Sequence, residues 1–396
     1  MTTITESALG NNNELVRRRN LGVILSLVHA SGGLSRSTLT RETGLNRSTI
    51  GALVGDLAEH GLVEVLTPDS AGTVGRPSPI VSPAPGVVAL AVNPEIDAVT
   101  IGIVRLGGEL VTRVRYPTDA PPTPVEAVRI SAAVIDGMRG ELQANLVAGI
   151  GVAVPGLVRA SDGLVRWAPH LGWRDVPFAE MLAEATGYRV VAANDATLGA
   201  MAERAFGAAR GIDDFIYLNG GASGIGGGIV AGGVPVAGKA GYAGEFGHVR
   251  VTGEVNAGGD PEAGALERSV NRAALLAAVG RTDAEADGLE AALLASDDEH
   301  VRAEVRRQLD HLSVSLRNAI AVLNPERIVL GGFLASLFAV DPEHLRSRVA
   351  AQVLPVADEE AEIVRAELGQ GILMIGAAEL AFRDLLVDPL GIVARV

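Results

Sequence analysis

The stretch Leu218-Asn219-Gly220-Gly221-Ala222-Ser223-Gly224-Ile225-Gly226-Gly227-Gly228-Ile229-Val230 places six glycines between and within two apolar segments. Glycine at this density among apolar residues marks tight turns and close backbone approaches rather than a linker. With residues 234–236 it predicts an antiparallel meander over 214–219, 224–230 and 234–236. An earlier meander is expected at 87–92, 98–105 and 109–116. The two read alike: Ile103-Val104-Arg105-Leu106-Gly107-Gly108 parallels Ile229-Val230-Ala231-Gly232-Gly233 with one gap. The first is followed by a helix at 124–143 and by strands at 147–154 and 189–192 enclosing another helical stretch. Helices are expected after the second at 266–279, 283–294, 299–323 and 342–353, with a last one over 371–386 packing back on the first half. Alternating strands and helices are an α/β signature. The duplication predicts two lobes of like topology closing over a cleft.

The chain has 396 residues, 48% of them hydrophobic and 20% charged, which is a globular composition long enough for two or three cores. It contains no cysteine, so disulfides and thiolate-bound metals are excluded. No segment has the apolar length of a signal peptide core or a membrane span, and a cytoplasmic protein without membrane contact is expected. The net charge of −14 argues against DNA binding only until it is divided along the chain. Residues 1–85 hold seven Arg and seven Asp or Glu, so the whole excess of acid lies in the rest. Acidity there suppresses nonspecific contact with DNA and leaves affinity to a few placed arginines.

Those first 85 residues carry three helical patterns. Leu15, Leu21, Ile24, Leu25 and Val28 mark one face of the first. Ser35 can cap a short helix through Thr43, Gly44-Leu45-Asn46 makes a turn, and Asn46 or Arg47 opens a third helix with Ile50, Leu53, Val54 and Leu57 inward. Two helices about a glycine turn form a helix-turn-helix, whose second helix reads the major groove through its N-terminal residues. Asn46, Arg47, Ser48 and Thr49 stand there and suit phosphate and base-edge contacts. Two short β segments around Gly75-Arg76-Pro77 form a wing, with Arg76 suited to a narrow minor groove. Arg36 completes the expected DNA-facing set. A small helical bundle used for protein contacts would share much of this pattern. Pro83-Ala84-Pro85-Gly86 reads as the linker to the larger part.

The glycine-rich hairpin, Gly244-Glu245-Phe246-Gly247-His248, Gly264-Ala265-Leu266-Glu267, Pro325-Glu326-Arg327-Ile328-Val329-Leu330-Gly331-Gly332 and Gly376-Ala377-Ala378 occur in that order. Together they resemble the ROK (repressor, open reading frame, kinase) family over essentially the whole chain, including the winged helix of its repressor branch. The resemblance implies a winged helix-turn-helix at 1–85 and a two-lobed actin/hexokinase-like domain at 86–396, with lobe one at about 86–194 plus 375–396 and lobe two at about 195–374. It also implies sugar-binding roles for Asn194, Asp195, Glu245, His248 and Glu267, with Asp195 at the position of the kinases' general base. A helix cap and an ordinary polar turn would use the same residue types. Trp167 and Trp173 flank Ala168-Pro169-His170-Leu171-Gly172, which resembles the family's pocket-edge loop, although His170 replaces its usual Asn.

Two departures from the family pattern bear on chemistry. ROK kinases carry Asp-x-Gly-Gly-Thr after the first strand to meet ATP phosphates and metal, whereas this chain has Asn93-Pro94-Glu95-Ile96-Asp97. Asn93 lacks the carboxylate, Pro94 removes an N–H donor, and Glu95 puts negative charge where phosphate would lie. The family's zinc cysteines align with Gly258, Asp260 and Ala265. The expectation is a homodimer or dimer of dimers that binds double-stranded operator DNA and a sugar or sugar derivative, with no cofactor, no metal and only a vestigial catalytic Asp195. An active ROK sugar kinase and a purely protein-binding module are the alternatives. Since structural zinc needs about four ligands, metal analysis of purified protein is expected to find none in stoichiometric amount. About one zinc per chain would overturn that reading.

Overall fold

The computed structural model describes residues 7–66, 78–221, 224–253, 262–281, 286–354 and 361–393. The chain divides into two compact units, one of Met1–Ala153, Pro177–Ala192 and Ala377–Val396, the other of Val154–Val176 and Ala193–Gly376.

In the first unit, helix α1 (Ser7–Ser31) buries Leu21, Ile24, Leu25 and Val28. Leu15, expected on that face, is 68% exposed. It precedes Leu21 by six residues, which turns it about 120° away from the buried stripe. Helix α2 (Arg36–Thr43) starts at Ser35, whose hydroxyl accepts from Thr38 N at 3.0 Å, and ends at Gly44 with φ +68°. Helix α3 (Arg47–Glu59) starts at Asn46 and buries Ile50, Leu53, Val54 and Leu57. A three-stranded sheet in the order Leu34–Ser35, Ile80–Pro83, Val63–Leu66 completes the head. The tip expected to carry Gly75, Arg76 and Pro77 lies outside the described residues.

The segment expected as a linker is a packed turn instead. Ala84 is buried, its N–H donates to Leu62 O, and its carbonyl accepts from Val87 N, both at 3.1 Å. Prolines that look like spacer in sequence here close the last wing strand directly onto the first strand of the next sheet.

A buried histidine fastens α1 as well. His29 Nδ1 accepts from Gly107 N at 2.8 Å, so the proton on Nε2 is free to go to Glu379 Oε1 at 2.9 Å. The ring is 3% exposed and meets Phe382 edge-on, 5.8 Å between centroids. Gly107 turns between two strands of the first five-stranded sheet, and Glu379 and Phe382 belong to the helix Ile372–Val387. These contacts put the head in one unit with that sheet.

The first sheet runs Leu110–Pro117, Ala98–Arg105, Val87–Pro94, Leu146–Val154, Val190–Asn194. The helix expected at 124–143 ends at Gly137, and a separate turn covers Arg139–Leu142. The second sheet, in the other unit, runs Val234–Pro235, Gly224–Ala231, Phe215–Gly221, Arg327–Gly332, Glu362–Arg365. Both orders are an antiparallel meander extended by two later strands, so the duplication seen in the sequence is one of topology.

The second unit also holds a ribbon of Leu157–Val158, Val165–Ala168 and Trp173–Val176. Residues 154–176, expected in lobe one, therefore group with the second sheet. The helix expected at 266–279 is split into Leu266–Ser269 and Arg272–Ala278, because Asn271 caps the second piece by accepting from Ala274 N at 2.9 Å. The long helix Glu299–Leu323 buries Leu309, Leu312 and Leu316 against Ile328 and Leu330 of the central strands.

His29→Ala removes a buried acceptor and leaves Glu379 without its partner. Equilibrium unfolding in denaturant should show a loss of about 3 kcal/mol. A change below about 0.5 kcal/mol would mean that the buried pair does not hold the head.

Candidate functional site

Of the residues expected to meet DNA, Arg47, Ser48 and Asn46 are exposed at the start of α3 and Thr49 is half-buried. Part of this group serves the helix itself. Asn46 Oδ1 accepts from Thr49 N at 2.9 Å and from the Ser48 hydroxyl at 2.7 Å. The Asn46 amide N–H groups and the Arg47 guanidinium are then the strongest donors at this end. Arg36 is half-buried, and its backbone N–H donates to Pro79 O at 3.0 Å, tying α2 to the wing.

The expected sugar residues all line one cavity of about 200 Å³ in the second unit. Asn194 and Asp195 come from the junction of the strand Val190–Asn194 with the helix Asp195–Phe206. Asn194 is the helix cap: Oδ1 accepts from Thr197 N at 3.0 Å, while Nδ2 donates to Gly156 O at 3.1 Å. The cap and the pocket readings of this residue are thus compatible. Glu245 and His248 come from the turn that includes the 3₁₀ segment Phe246–His248. Glu267 reaches in from Leu266–Ser269, its Oε2 accepting from Ile225 N at 3.4 Å. A Cβ on Gly224, whose φ is +138°, would stand 2.4 Å from that oxygen. Glycine in the hairpin therefore makes room for the carboxylate.

Trp167 and His170 also line the cavity, while Trp173 is buried in the protein core. Asn219 was not singled out by the sequence reading. It lines the cavity and accepts from the Tyr217 hydroxyl at 3.2 Å. Its position inside the quoted glycine stretch, as the one amide among glycines, was the available signal. Glu262 was missed too: it accepts from His248 Nδ1 at 2.9 Å, and nothing in its local sequence singles it out.

Carboxylates crowd this cavity. Burial, with the nearby Glu245 adding to it, pushes Asp195 up to about 6. Glu245 is raised as well, by burial first and by Glu267 second, with His248 acting against both. For His248 desolvation works downward, but Glu262, Glu267 and Glu245 together outweigh it and raise the imidazole. The cavity offers several acceptors and an imidazole donor, which is suited to a neutral, hydroxyl-rich ligand.

The hairpin expected to have lost its phosphate function closes on itself. Glu95 Oε1 accepts from Asn93 Nδ2 at 3.1 Å and from the Thr100 hydroxyl at 2.8 Å, and Arg115 lies 3.5 Å from Glu95 and 2.8 Å from Asp97. At the family's zinc position, Gly258 and Asp260 lie outside the described residues, and Ala265 is buried and offers no donor atom. Among the described residues His248, Glu262 and Glu267 bring one donor atom each within 4.8 Å of one another. That set is one short of the four protein ligands of a structural zinc site. No described helix is long and apolar enough to cross a membrane.

Residues 91–384 match the ROK family. The xylose repressor of Bacillus spizizenii is 22% identical over 373 residues, covering 94% of this chain and 97% of that protein. A glucokinase of Halalkalibacterium halodurans is 30% identical over 315 residues, covering 73% of this chain and 94% of that one. The crystal structure of a ROK family transcriptional regulator, a homologue of the E. coli MLC protein, superposes with a TM-score of 0.77 at 24% identity. It covers 96% of this chain and all of that one, and shows the fold.

The raised Asp195 carries a pH signature. Its proton is held more tightly folded than unfolded, so its contribution favours the fold below about pH 4 and is lost as pH rises through about 6. Asp195→Asn keeps an oxygen for Ala196 N and removes the charge. Its melting temperature should exceed the parent's at pH 8 and match it near pH 4. A difference of equal size at both values would show that the carboxylate is not strained by its surroundings.

Proposed function

The chain belongs to the ROK family, and from that premise we propose that it is a sugar-responsive transcriptional repressor whose kinase-like domain binds its effector without phosphorylating it. The observation that carries this is the convergence of Asp195, Glu245, His248 and Glu267 on one cavity in a chain that also presents Arg47 at an exposed helix-turn-helix terminus. Residues 1–85 act as the DNA-binding head and 86–396 as the sensor. Two copies, as a homodimer, read a roughly palindromic operator with half-sites a whole number of helical turns apart. The 22% identical relative named xylose repressor aligns across the head as well as the sensor, which supports a carbohydrate pathway as the regulated target.

The absence of turnover rests on the hairpin after the first strand. Glu95 takes the donors of Asn93 and Thr100 for itself, and a fixed carboxylate there opposes a phosphate group. The kinase reading has its own observation: Asp195, pushed up to about 6 in the cavity, is in the range of a general base. A coupled assay with ATP and a panel of hexoses and pentoses separates the two. Turnover abolished by Asp195→Asn would establish the enzyme.

For the repressor reading, genome-wide capture of bound DNA should recover sites beside carbohydrate genes, and a sugar from the panel should shift operator affinity in a gel assay. Arg47→Ala should weaken operator binding by about tenfold or more. Retention of parental affinity by Arg47→Ala and by Arg76→Ala, on fragments recovered by the parent, would refute the assigned DNA-facing set.

A further inference from the structure

We infer that Glu262 is a positioning residue of the pocket: its carboxylate fixes the orientation of the His248 ring and thereby where Nε2 meets the ligand. The inference rests on the reading of the cavity as an effector site. His248 lines the cavity and Glu262 does not. Among the described residues three carboxylates face the ring, and one of these three is within hydrogen-bond distance. Glu262 Oε2 lies 2.9 Å from Nδ1, whereas Glu267 Oε1 is 3.9 Å from Nδ1 and Glu245 Oε2 is 3.9 Å from Nε2.

The backbone holds the two partners in register. Leu266 N donates to Val249 O at 2.9 Å, Val251 N donates to Gly264 O at 2.8 Å, and Arg250 bridges Ala265. Ala265 N donates to Glu262 O at 3.0 Å, closing the turn that presents Glu262. The segment after His248 and the turn after Glu262 are thus clamped together, so the Nδ1 contact is set by the fold rather than by two free side chains.

A carboxylate only accepts, so Nδ1 carries a proton in both charge states of the ring. Without that partner the imidazole can flip about its Cβ–Cγ bond and exchange tautomers, presenting carbon or either nitrogen to the cavity. With it, Nε2 stands at one place, 3.9 Å from Glu245 Oε2. A hydroxyl of a polyhydroxylated ligand is then read by position, which is how a second residue controls specificity through the one that touches the ligand.

The test uses full-length protein and the variants Glu262→Ala and Glu262→Gln. Glutamine keeps an acceptor oxygen for Nδ1–H. Nitrogen NMR of the His248 ring, recorded without sugar, should show a fixed Nδ1–H tautomer in the parent and in E262Q, and exchange averaging in E262A. Titration with the sugar that shifts the parent should give binding about 10–100-fold weaker for E262A and within about threefold for E262Q. Operator affinity without sugar should be equal in all three. A fixed Nδ1–H tautomer in E262A overturns the inference, as does unchanged sugar affinity in that variant. If E262A does not fold, loss of the fixed tautomer in E262Q overturns it. If no sugar binds the parent, the effector reading fails, and the ring signals still decide the role of Glu262.

Discussion

The pocket depends on how closely the helix Asp195–Phe206 approaches the strand Gly224–Ala231. A Cβ on Gly226 would stand 2.8 Å from the Ala196 side chain, and one on Gly228 would stand 2.6 Å from that of Ala200. Alanine facing glycine removes the layer of side chains that separates an ordinary helix from its sheet. The helix start is lowered onto the strand, so Asn194 and Asp195 open into the same cavity as Asn219 and Ile225. Asn194 then ties this corner to the ribbon through Gly156 O. Three chain segments far apart in sequence are fixed by one capping residue and two missing side chains.

That geometry sets the electrostatics. Asp195, Glu245 and Glu267 gather where little water reaches Asp195, and the positive end of the helix Asp195–Phe206 offsets only part of the cost. The cavity relieves it by other means: protonation of Asp195 near pH 6, the raised imidazole of His248, or a ligand whose hydroxyls donate to the carboxylates. A phosphorylated or carboxylated molecule would add charge of the same sign at close range. The chemistry of the wall thus favours a neutral polyol over its anionic derivatives.

Sequence exposes structure wherever one residue decides a local event. Ser35, Gly44 and Asn46 delimit α2 and α3, and the repeated meander discloses both sheets in the same order. Amphipathic spacing was enough to place Glu299–Leu323 at its observed ends. What stayed hidden depends on partners distant in sequence. Proline and glycine at 83–86 suggest a spacer until the hydrogen bond from Ala84 to Leu62 shows a packed turn. Residues 154–176 look like part of the first lobe because their strands are too short to leave a period. Glu262 resembles any surface acid, and only the register between 249–251 and 264–266 brings it to His248.

The packing of the head narrows how a ligand could act on DNA. Turning α1 away from the first sheet would break the hydrogen bonds of His29 to Gly107 and Glu379. Breaking a buried pair alone costs about 3 kcal/mol or more. Coupling energies between a ligand site and a second site are typically about 1–3 kcal/mol. A signal of that size is spent before the head has moved. A head that moves together with the first sheet as one body keeps the His29 clamp intact. An effector has to bind one state of the protein better than the other, because equal binding shifts nothing.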